Sequence, residues 1–245
     1  MNAPWRGPSS RSGSRRDLPA RQLACCDRDR RVVFVGGTVV ALYPLEGGAD
    51  VRPTVDVDCI VDVTTLGAYY AFVERLRSLG FEACTDEGAP LCRLVVSGIR
   101  VDVMGAADTA LGPTNRWYAE AIAAAEPHSV ASDVEVLAIS PIYFAATKLE
   151  AFHSRGGGDY VESHDLEDAL TVFAGLPSLR AEVETGGSGV ARDVRDDLAR
   201  LAAQEAFVEA SWGHFEGDAP GQARAASVAA WLRKLARECP TPAGR

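Results

Sequence analysis

Residues 55–61 of the chain have the sequence VDVDCIV, in which two acidic side chains alternate with apolar ones. This alternation predicts a β-strand. Because successive strand side chains point to opposite faces, Asp56 and Asp58 should share one face. Aspartate disfavours strands, and two aspartates on one face of an apolar strand are costly without a partner. The segment therefore indicates a strand whose acidic face has a function.

A third carboxylate, Asp102, lies in the apolar run 99–104. A neighbouring strand carrying Asp102 would bring it to the same sheet edge as Asp56 and Asp58. Three carboxylates there repel one another unless a cation joins them, and Mg²⁺, which binds one or two carboxylates plus substrate phosphates, meets that need. The alternative is a solvated strand end with polar residues on its outer face. Repetition of the pattern at Asp102 favours the metal site.

A double glycine, Gly36-Gly37, follows the apolar run 32–35 and precedes a helix predicted to begin near Thr38. Glycine lets the backbone approach a phosphate, and the N–H groups of a helix N-terminus favour anions. Alone, such a pair is more typical of an ordinary tight turn. Followed by the acidic strand, it favours phosphate binding.

The composition is that of a soluble globular protein, with 47% hydrophobic and 24% charged residues. A net charge of −9 argues against a broad nucleic-acid-binding surface, although it allows a local basic patch. No apolar stretch approaches the roughly 20 residues needed to span a bilayer, and the Arg-rich N-terminus lacks the apolar core of a secretory signal. We therefore expect a cytoplasmic protein that does not contact a membrane.

The chain divides into three predicted regions. Residues 1–28 are rich in Pro, Ser, Gly and Arg and lack periodicity, which predicts a disordered arm. Residues 29–139 predict an α/β core, and residues 140–240 predict a helical region that begins at an N-cap serine followed by proline. The predicted strands are 32–35, 55–61, 91–96, 99–104 and 134–138, and the predicted helices are 66–79, 115–125, 141–154, 163–173, 190–210 and 221–237. Ser97-Gly98 predicts a two-residue hairpin turn between strands 91–96 and 99–104, and Ser163 is the predicted cap of helix 163–173.

The segments GGT at 36–38, RPTVDVD at 52–58 and VDV at 101–103 together resemble the nucleotidyltransferase superfamily. The R-x-T-x-D-x-D motif is most similar to that of the AbiEii-type branch, which comprises the nucleotidyltransferase toxins of type IV toxin–antitoxin systems and their uncharacterised relatives. The resemblance implies a small mixed β-sheet flanked by helices and followed by a helical C-terminal half. It also implies transfer of a nucleoside monophosphate from an NTP, with two Mg²⁺ ions held by Asp56, Asp58 and Asp102.

The resemblance further implies that Lys148 and Asp165, in the helical region, complete the catalytic site. From the residues alone, Lys148 is equally compatible with a solvated helix position, and Asp165 with a first-turn carboxylate that favours the helix dipole. Thr54 is predicted to hydrogen-bond beside Asp56. The predicted triphosphate contacts are Gly36, Gly37, Thr38, Arg52 and Lys148.

The resemblance leaves the acceptor open between RNA such as tRNA, protein hydroxyls and a small molecule. A toxin role would add an antitoxin-like protein as a partner. Two other functions use the same residues. One is a non-catalytic nucleotide- or partner-binding module with a vestigial site, and the other is a metal-dependent phosphohydrolase.

Overall fold

A computed structural model describes most of the chain as two compact units. The first unit comprises residues 1–43 and 52–140, and the second comprises residues 44–51 and 141–245. The predicted arm at residues 1–28 lies outside the described residues except for Leu23. The described residues are 23, 32–47, 51–52, 54, 56–106, 115–155 and 158–239.

A seven-stranded mixed sheet forms the centre of the first unit, in the order β3-β4-β5-β2-β1-β7-β6. The pairs β1/β7 and β2/β5 are parallel, and the other neighbours are antiparallel. The strands are β1 (Val32–Val35), β2 (Asp56–Val61), β3 (Glu82–Ala83), β4 (Arg93–Val96), β5 (Ile99–Gly105), β6 (Glu126–Ala131) and β7 (Val134–Ala138).

Helices α1 (Leu66–Ser78) and α2 (Tyr118–Ala123) belong to the same unit, together with a 3-10 helix at Gly37–Leu42. The side chain of Thr65 caps α1 by accepting a hydrogen bond from the Ala68 N–H. The buried side chains of α1 include Tyr69, Phe72, Val73 and Leu76, whose spacing places them on one helix face. These side chains and the buried side chains of the strands form the core of the unit.

The hairpin between β4 and β5 forms as the sequence predicted. Its two turn residues, Ser97 and Gly98, both have positive φ, at 52° and 79°. This backbone matches the right-handed twist of paired strands, which is why a two-residue turn with such residues sets the strand register. The register pairs Arg93 on β4 with Asp102 on β5.

In the described part of the second unit, every regular element is a helix. Ser163 caps α4 as predicted, since its hydroxyl accepts a hydrogen bond from the Leu166 N–H. Phe173 of α4 packs against Trp231 of α8, with ring centroids 5.0 Å apart. The helices are α3 (Pro141–Arg155), α4 (His164–Gly175), α5 (Pro177–Thr185), α6 (Gly189–Ala202), α7 (Glu205–Ala210) and α8 (Ala219–Glu238), with a 3-10 turn at Ser211–His214.

The structure corrects several predicted elements. The segment after the double glycine is a 3-10 helix of six residues, Gly37–Leu42, rather than an α-helix, and it is preceded by Gly36 with φ of 70° and ψ of −169°. The predicted helix 115–125 is shorter, at Tyr118–Ala123, and the segment 190–210 is two helices. Among the described residues, β3, β6, α5 and the 3-10 turn at Ser211–His214 have no counterpart among the predicted elements.

Strand β6 could not be predicted from the hydrophobic pattern of its sequence. Its sequence EPHSVA has no apolar alternation, contains proline, and lies at the edge of the sheet, where its side chains are largely exposed. Pairing with β7, rather than burial, holds it in place. None of the helices in the described part of the chain combines the length and apolar character needed to cross a bilayer.

Candidate metal centre

The sheet brings together the three carboxylates that the sequence selected. Asp58 on β2 pairs directly with Asp102 on β5 in parallel register, and Asp56 lies two residues earlier on the same face of β2. One carboxylate oxygen from each residue lies within 4.8 Å of the others. The expected juxtaposition of Asp102 with the two β2 aspartates is therefore present in the fold.

The donor set of this triad suits a hard cation. Carboxylate oxygens are the ligands that Mg²⁺ and Ca²⁺ prefer, and oxygens this close can contact one ion together. The side chain of Asp102 is only 12% exposed, whereas the side chain of Asp56 is 32% exposed. The triad therefore has a buried end at Asp102 and an end at Asp56 that a soluble ligand can approach.

The opposite face of the same strands is apolar. Val57 and Cys59 on β2, and Val101 and Val103 on β5, are almost completely buried. This face anchors the two strands in the core, so the acidic face is held by packing that does not involve the carboxylates. Asp62, which continues the acidic alternation beyond β2, is exposed.

Gly36 allows Asp58 to lie against the turn that follows β1. Its φ of 70° with ψ of −169° is a conformation that is essentially restricted to glycine. A Cβ at this position would overlap Oδ2 of Asp58 and lie 2.8 Å from its Cγ. Gly36 is thus required twice, by the backbone conformation and by the close approach of the carboxylate.

Three other predicted phosphate contacts, Gly37, Thr38 and Arg52, also lie in the first unit, and their role stays a prediction. Gly37 begins the 3-10 helix and is buried. The Thr38 hydroxyl donates a hydrogen bond to the Val35 carbonyl over 3.2 Å. Arg52 is half-buried.

Thr54 hydrogen-bonds to Asp56, as predicted. Its hydroxyl oxygen lies 2.8 Å from Oδ1 of Asp56 and donates to that carboxylate. Thr54 is itself 7% exposed, so its side chain has little freedom. The hydroxyl therefore restricts the orientation of the Asp56 carboxylate.

Arg93 is the charged residue that sequence reasoning missed. Its Nε and Nη2 atoms each lie 2.7 Å from a different oxygen of Asp102, a bidentate pairing, and Nη2 lies 3.9 Å from Oδ2 of Asp56. Hydrogen bonding to Asp102 raises the pKa of Arg93 further above its already high value. The signal was present in the sequence, because Arg93 and Asp102 lie four residues on either side of the Ser97-Gly98 turn.

Lys148 and Asp165 lie together in the helical unit. Lys148 of α3 is 9% exposed, and its Nζ contacts two carboxylates of α4, at 3.0 Å from Asp165 Oδ1 and 2.7 Å from Asp168 Oδ2. Arg155 also donates to both oxygens of Asp165. Lys148 is thus a buried ion-pairing residue rather than the solvated helix residue that was the simpler alternative.

Burial acts to lower the pKa of Lys148, but the charges of Asp168 and Asp165 outweigh it and leave the pKa raised. Burial likewise acts to raise the pKa of Asp165, and the charge of Lys148 outweighs it, so that this pKa is lowered. Lys148 and Asp165 are therefore both ionised at neutral pH. That Lys148 and Asp165 take part in catalysis stays a prediction.

Comparisons of the chain with known proteins found a similar solved structure but no matching family. No family model matches the chain, and no curated protein matches it. One similar solved structure is that of an antigenic nucleotidyltransferase-like protein from Paracoccidioides brasiliensis, with 18% sequence identity and a TM-score of 0.47 over 79% of this chain and 88% of that chain.

Proposed function

We propose that the chain is a nucleotidyltransferase that transfers a nucleoside monophosphate from an NTP to an acceptor hydroxyl with the help of Mg²⁺. The observation that carries the proposal is the meeting of Asp56, Asp58 and Asp102, with oxygens within 4.8 Å, on one face of the sheet. The neighbouring turn at Gly36-Gly37 and the sequence resemblance of these segments to nucleotidyltransferases add support.

The carboxylates would hold the metal, with two Mg²⁺ ions expected from the resemblance. When bound, such ions neutralise phosphate charge and stabilise the attacking and leaving oxygens of an in-line displacement. The chain's own residues orient the ligands: Thr54 holds Asp56, and the absent side chain at Gly36 makes room for Asp58. Catalysis of this kind depends mainly on positioning and charge stabilisation.

The roles of the remaining predicted residues are also proposals. We propose that the turn residues Gly36, Gly37 and Thr38, with Arg52, bind the triphosphate, and that Lys148 and Asp165 serve the same reaction. An AbiEii-like toxin role would add an antitoxin-like partner and a cytoplasmic location. The acceptor class, which is RNA, protein or a small molecule, is left for experiment.

Transfer of label from each α-³²P-labelled NTP in a cell extract with Mg²⁺ tests the proposal. The double variant Asp56→Asn/Asp58→Asn should lose the labelled product, whereas Asp62→Asn, a matched change at an exposed position beyond β2, should keep it. Sensitivity of the product to nuclease or protease then identifies the acceptor. Equal labelling by wild type and the double variant would reject the triad as the site of transfer.

A non-catalytic nucleotide-binding module is the second candidate, and one observation favours it. The bidentate contact of Arg93 with Asp102 neutralises one triad carboxylate without a metal, as expected if a former metal site had been stabilised by an internal ion pair. Nucleotide binding to purified protein without transfer to any acceptor would support this candidate. Release of inorganic phosphate without a nucleotidylated product would instead indicate a phosphohydrolase.

A further inference from the structure

We propose that Arg93 is the resident counter-charge of the carboxylate triad and makes divalent-cation binding depend on the nucleotide. Arg93 pairs with Asp102 when neither ligand is bound, and it moves to the nucleotide phosphates when both ligands bind. This inference rests on the proposed function, because it assigns a regulatory role to a residue at that same site.

The first step of the argument is the location of Arg93. Antiparallel register places Arg93 opposite Asp102, and parallel register places Asp102 beside Asp58. The guanidinium therefore lies in the same lateral row as two of the proposed metal ligands. Its Nη2 atom is also 3.9 Å from Oδ2 of the third ligand, Asp56, so the guanidinium lies within 4 Å of two of the three proposed ligands.

The second step is electrostatic. Both oxygens of Asp102 accept a hydrogen bond from Arg93 at 2.7 Å, so a cation bound to Asp102 would lie a few ångströms from a permanent positive charge. Like charges at such a separation repel, and the low exposure of Asp102 reduces screening by solvent. Arg93 should therefore weaken the binding of a divalent cation on its own.

The third step concerns the alternative partner of the guanidinium. The planar fork of arginine fits phosphate oxygens as well as carboxylates. The Arg93 side chain is 23% exposed, so part of it is accessible to a ligand that approaches from the Asp56 end. A triphosphate would supply an anionic partner for Arg93 and would release Asp102 for the cation, which couples the two binding events.

The simpler alternative is a purely structural ion pair that joins β4 to β5. In that case, removal of Arg93 would lower the stability of the hairpin but leave the affinity for a cation unchanged once the protein is folded. The two roles therefore differ in a measurement of metal affinity, which does not depend on catalysis.

The test is the dissociation constant of Mn²⁺, measured by electron paramagnetic resonance on folded full-length protein without nucleotide. Arg93→Met keeps the apolar stem and removes the charge. We expect it to bind Mn²⁺ on the order of tenfold more tightly than wild type, since it removes like-charge repulsion. Arg77→Met removes the same charge from α1, where Arg77 pairs with Glu74, and should leave the constant unchanged.

A second arm adds a non-hydrolysable ATP analogue with a methylene between its α- and β-phosphates. The analogue should increase Mn²⁺ affinity strongly in wild type and several-fold less in Arg93→Met, because the variant has no guanidinium to transfer. If Arg93→Met does not fold, Arg93→Lys keeps the charge without the fork. That variant should bind Mn²⁺ alone as weakly as wild type and show a smaller effect of the analogue.

The outcomes separate this inference from the proposed function. Equal Mn²⁺ constants for wild type and Arg93→Met, with binding abolished by Asp58→Asn, would overturn the role of Arg93 and leave the metal site standing. In the Arg93→Lys arm, an analogue effect equal to that of wild type would also overturn it. Binding of Mn²⁺ that Asp58→Asn does not change, with or without the analogue, would overturn both.

Discussion

Gly36 and Asp58 approach so closely that position 36 has no room for any side chain: a Cβ there would lie 2.8 Å from Cγ and 2.9 Å from Cβ of Asp58. Gly36 lies in the turn that follows β1, and Asp58 lies on β2. The pairing of Val35 with Asp58 brings the two residues into contact. The glycine that the sequence suggested as a phosphate contact therefore has a second role, which is to accommodate a proposed metal ligand.

Replacement of Gly36 by alanine should lower both stability and metal affinity. The strained backbone conformation alone costs about 1–3 kcal/mol in the free energy of unfolding, and the overlap with Asp58 adds to that cost or displaces the carboxylate. Urea unfolding and Mn²⁺ titration measure the two effects.

Gly88→Ala is the matched control for this change. Gly88 also has positive φ, at 76°, but a Cβ there meets nothing within 4 Å. Its substitution should show the backbone cost without any change in Mn²⁺ affinity. Equal effects of the two substitutions would show that the approach of Asp58 to Gly36 has no consequence for the site.

Removal of the Thr54 hydroxyl should loosen Asp56 without unfolding the protein. Thr54→Val keeps the shape but deletes the 2.8 Å hydrogen bond, which should lower stability by about 1 kcal/mol or less. Because Asp56 then samples more orientations, we expect a several-fold weaker Mn²⁺ affinity. Thr185→Val, which removes a hydrogen bond to the Glu182 carbonyl in the helical unit, should leave Mn²⁺ affinity unchanged.

Divalent cations should stabilise the folded protein through the triad. A ligand that binds only the native state at one hundred times its dissociation constant adds about 2.7 kcal/mol of stability. We expect Mg²⁺ or Mn²⁺ to raise the melting temperature of wild type and of Asp62→Asn, and to have no effect on Asp102→Asn. A shift of equal size in Asp102→Asn would place the cation at another site.

Lys148→Met should destabilise the helical unit strongly at neutral pH. The substitution removes the cation that pairs with the buried Asp168, whereas Asp165 keeps its contact with Arg155. Removal of one partner of a buried ion pair typically costs about 3–5 kcal/mol. Lys234→Met removes an exposed lysine that pairs with Glu184 and should have little effect. Thermal or urea unfolding of the two variants makes the comparison.

The pH dependence of stability should reflect this cluster. The lowered pKa of Asp165 means that its contribution is present above the unfolded value of about 3.9 and is lost as pH falls through the folded value. The raised pKa of Lys148 means that its contribution is present below about 10.4 and is lost as pH rises through the folded value. Wild-type stability from these two groups should therefore be constant near neutrality and fall at both extremes.

A catalytic role of Lys148 must be separated from this structural one. The triple variant Lys148→Met/Asp165→Asn/Asp168→Asn removes the charges together, so it should recover much of the stability that Lys148→Met alone loses. If the folded triple variant still lacks nucleotidyl transfer, the predicted role in the reaction gains support. Transfer at the wild-type rate would limit the cluster to stability.

Much of the sheet could be predicted because its signals are local. Alternation of acidic and apolar residues in 55–61 marked a strand with two faces, and Ser97-Gly98 marked the hairpin that joins β4 to β5. The helix starting at Ser163 was marked by its cap. Strand β6 was not predictable in this way, because an exposed edge strand has no burial pattern to record its position.

The sequence by itself determined which residues carry charge on an otherwise apolar strand, because side-chain alternation follows directly from backbone geometry. Only the tertiary structure decided that β2 and β5 pair in the register that places Asp102 beside Asp58. It also decided that the Asp58 carboxylate occupies the space that a side chain at Gly36 would fill, and that Lys148 is buried between two carboxylates. These contacts join segments distant along the chain, and their formation depends on the packing of the core rather than on any local pattern.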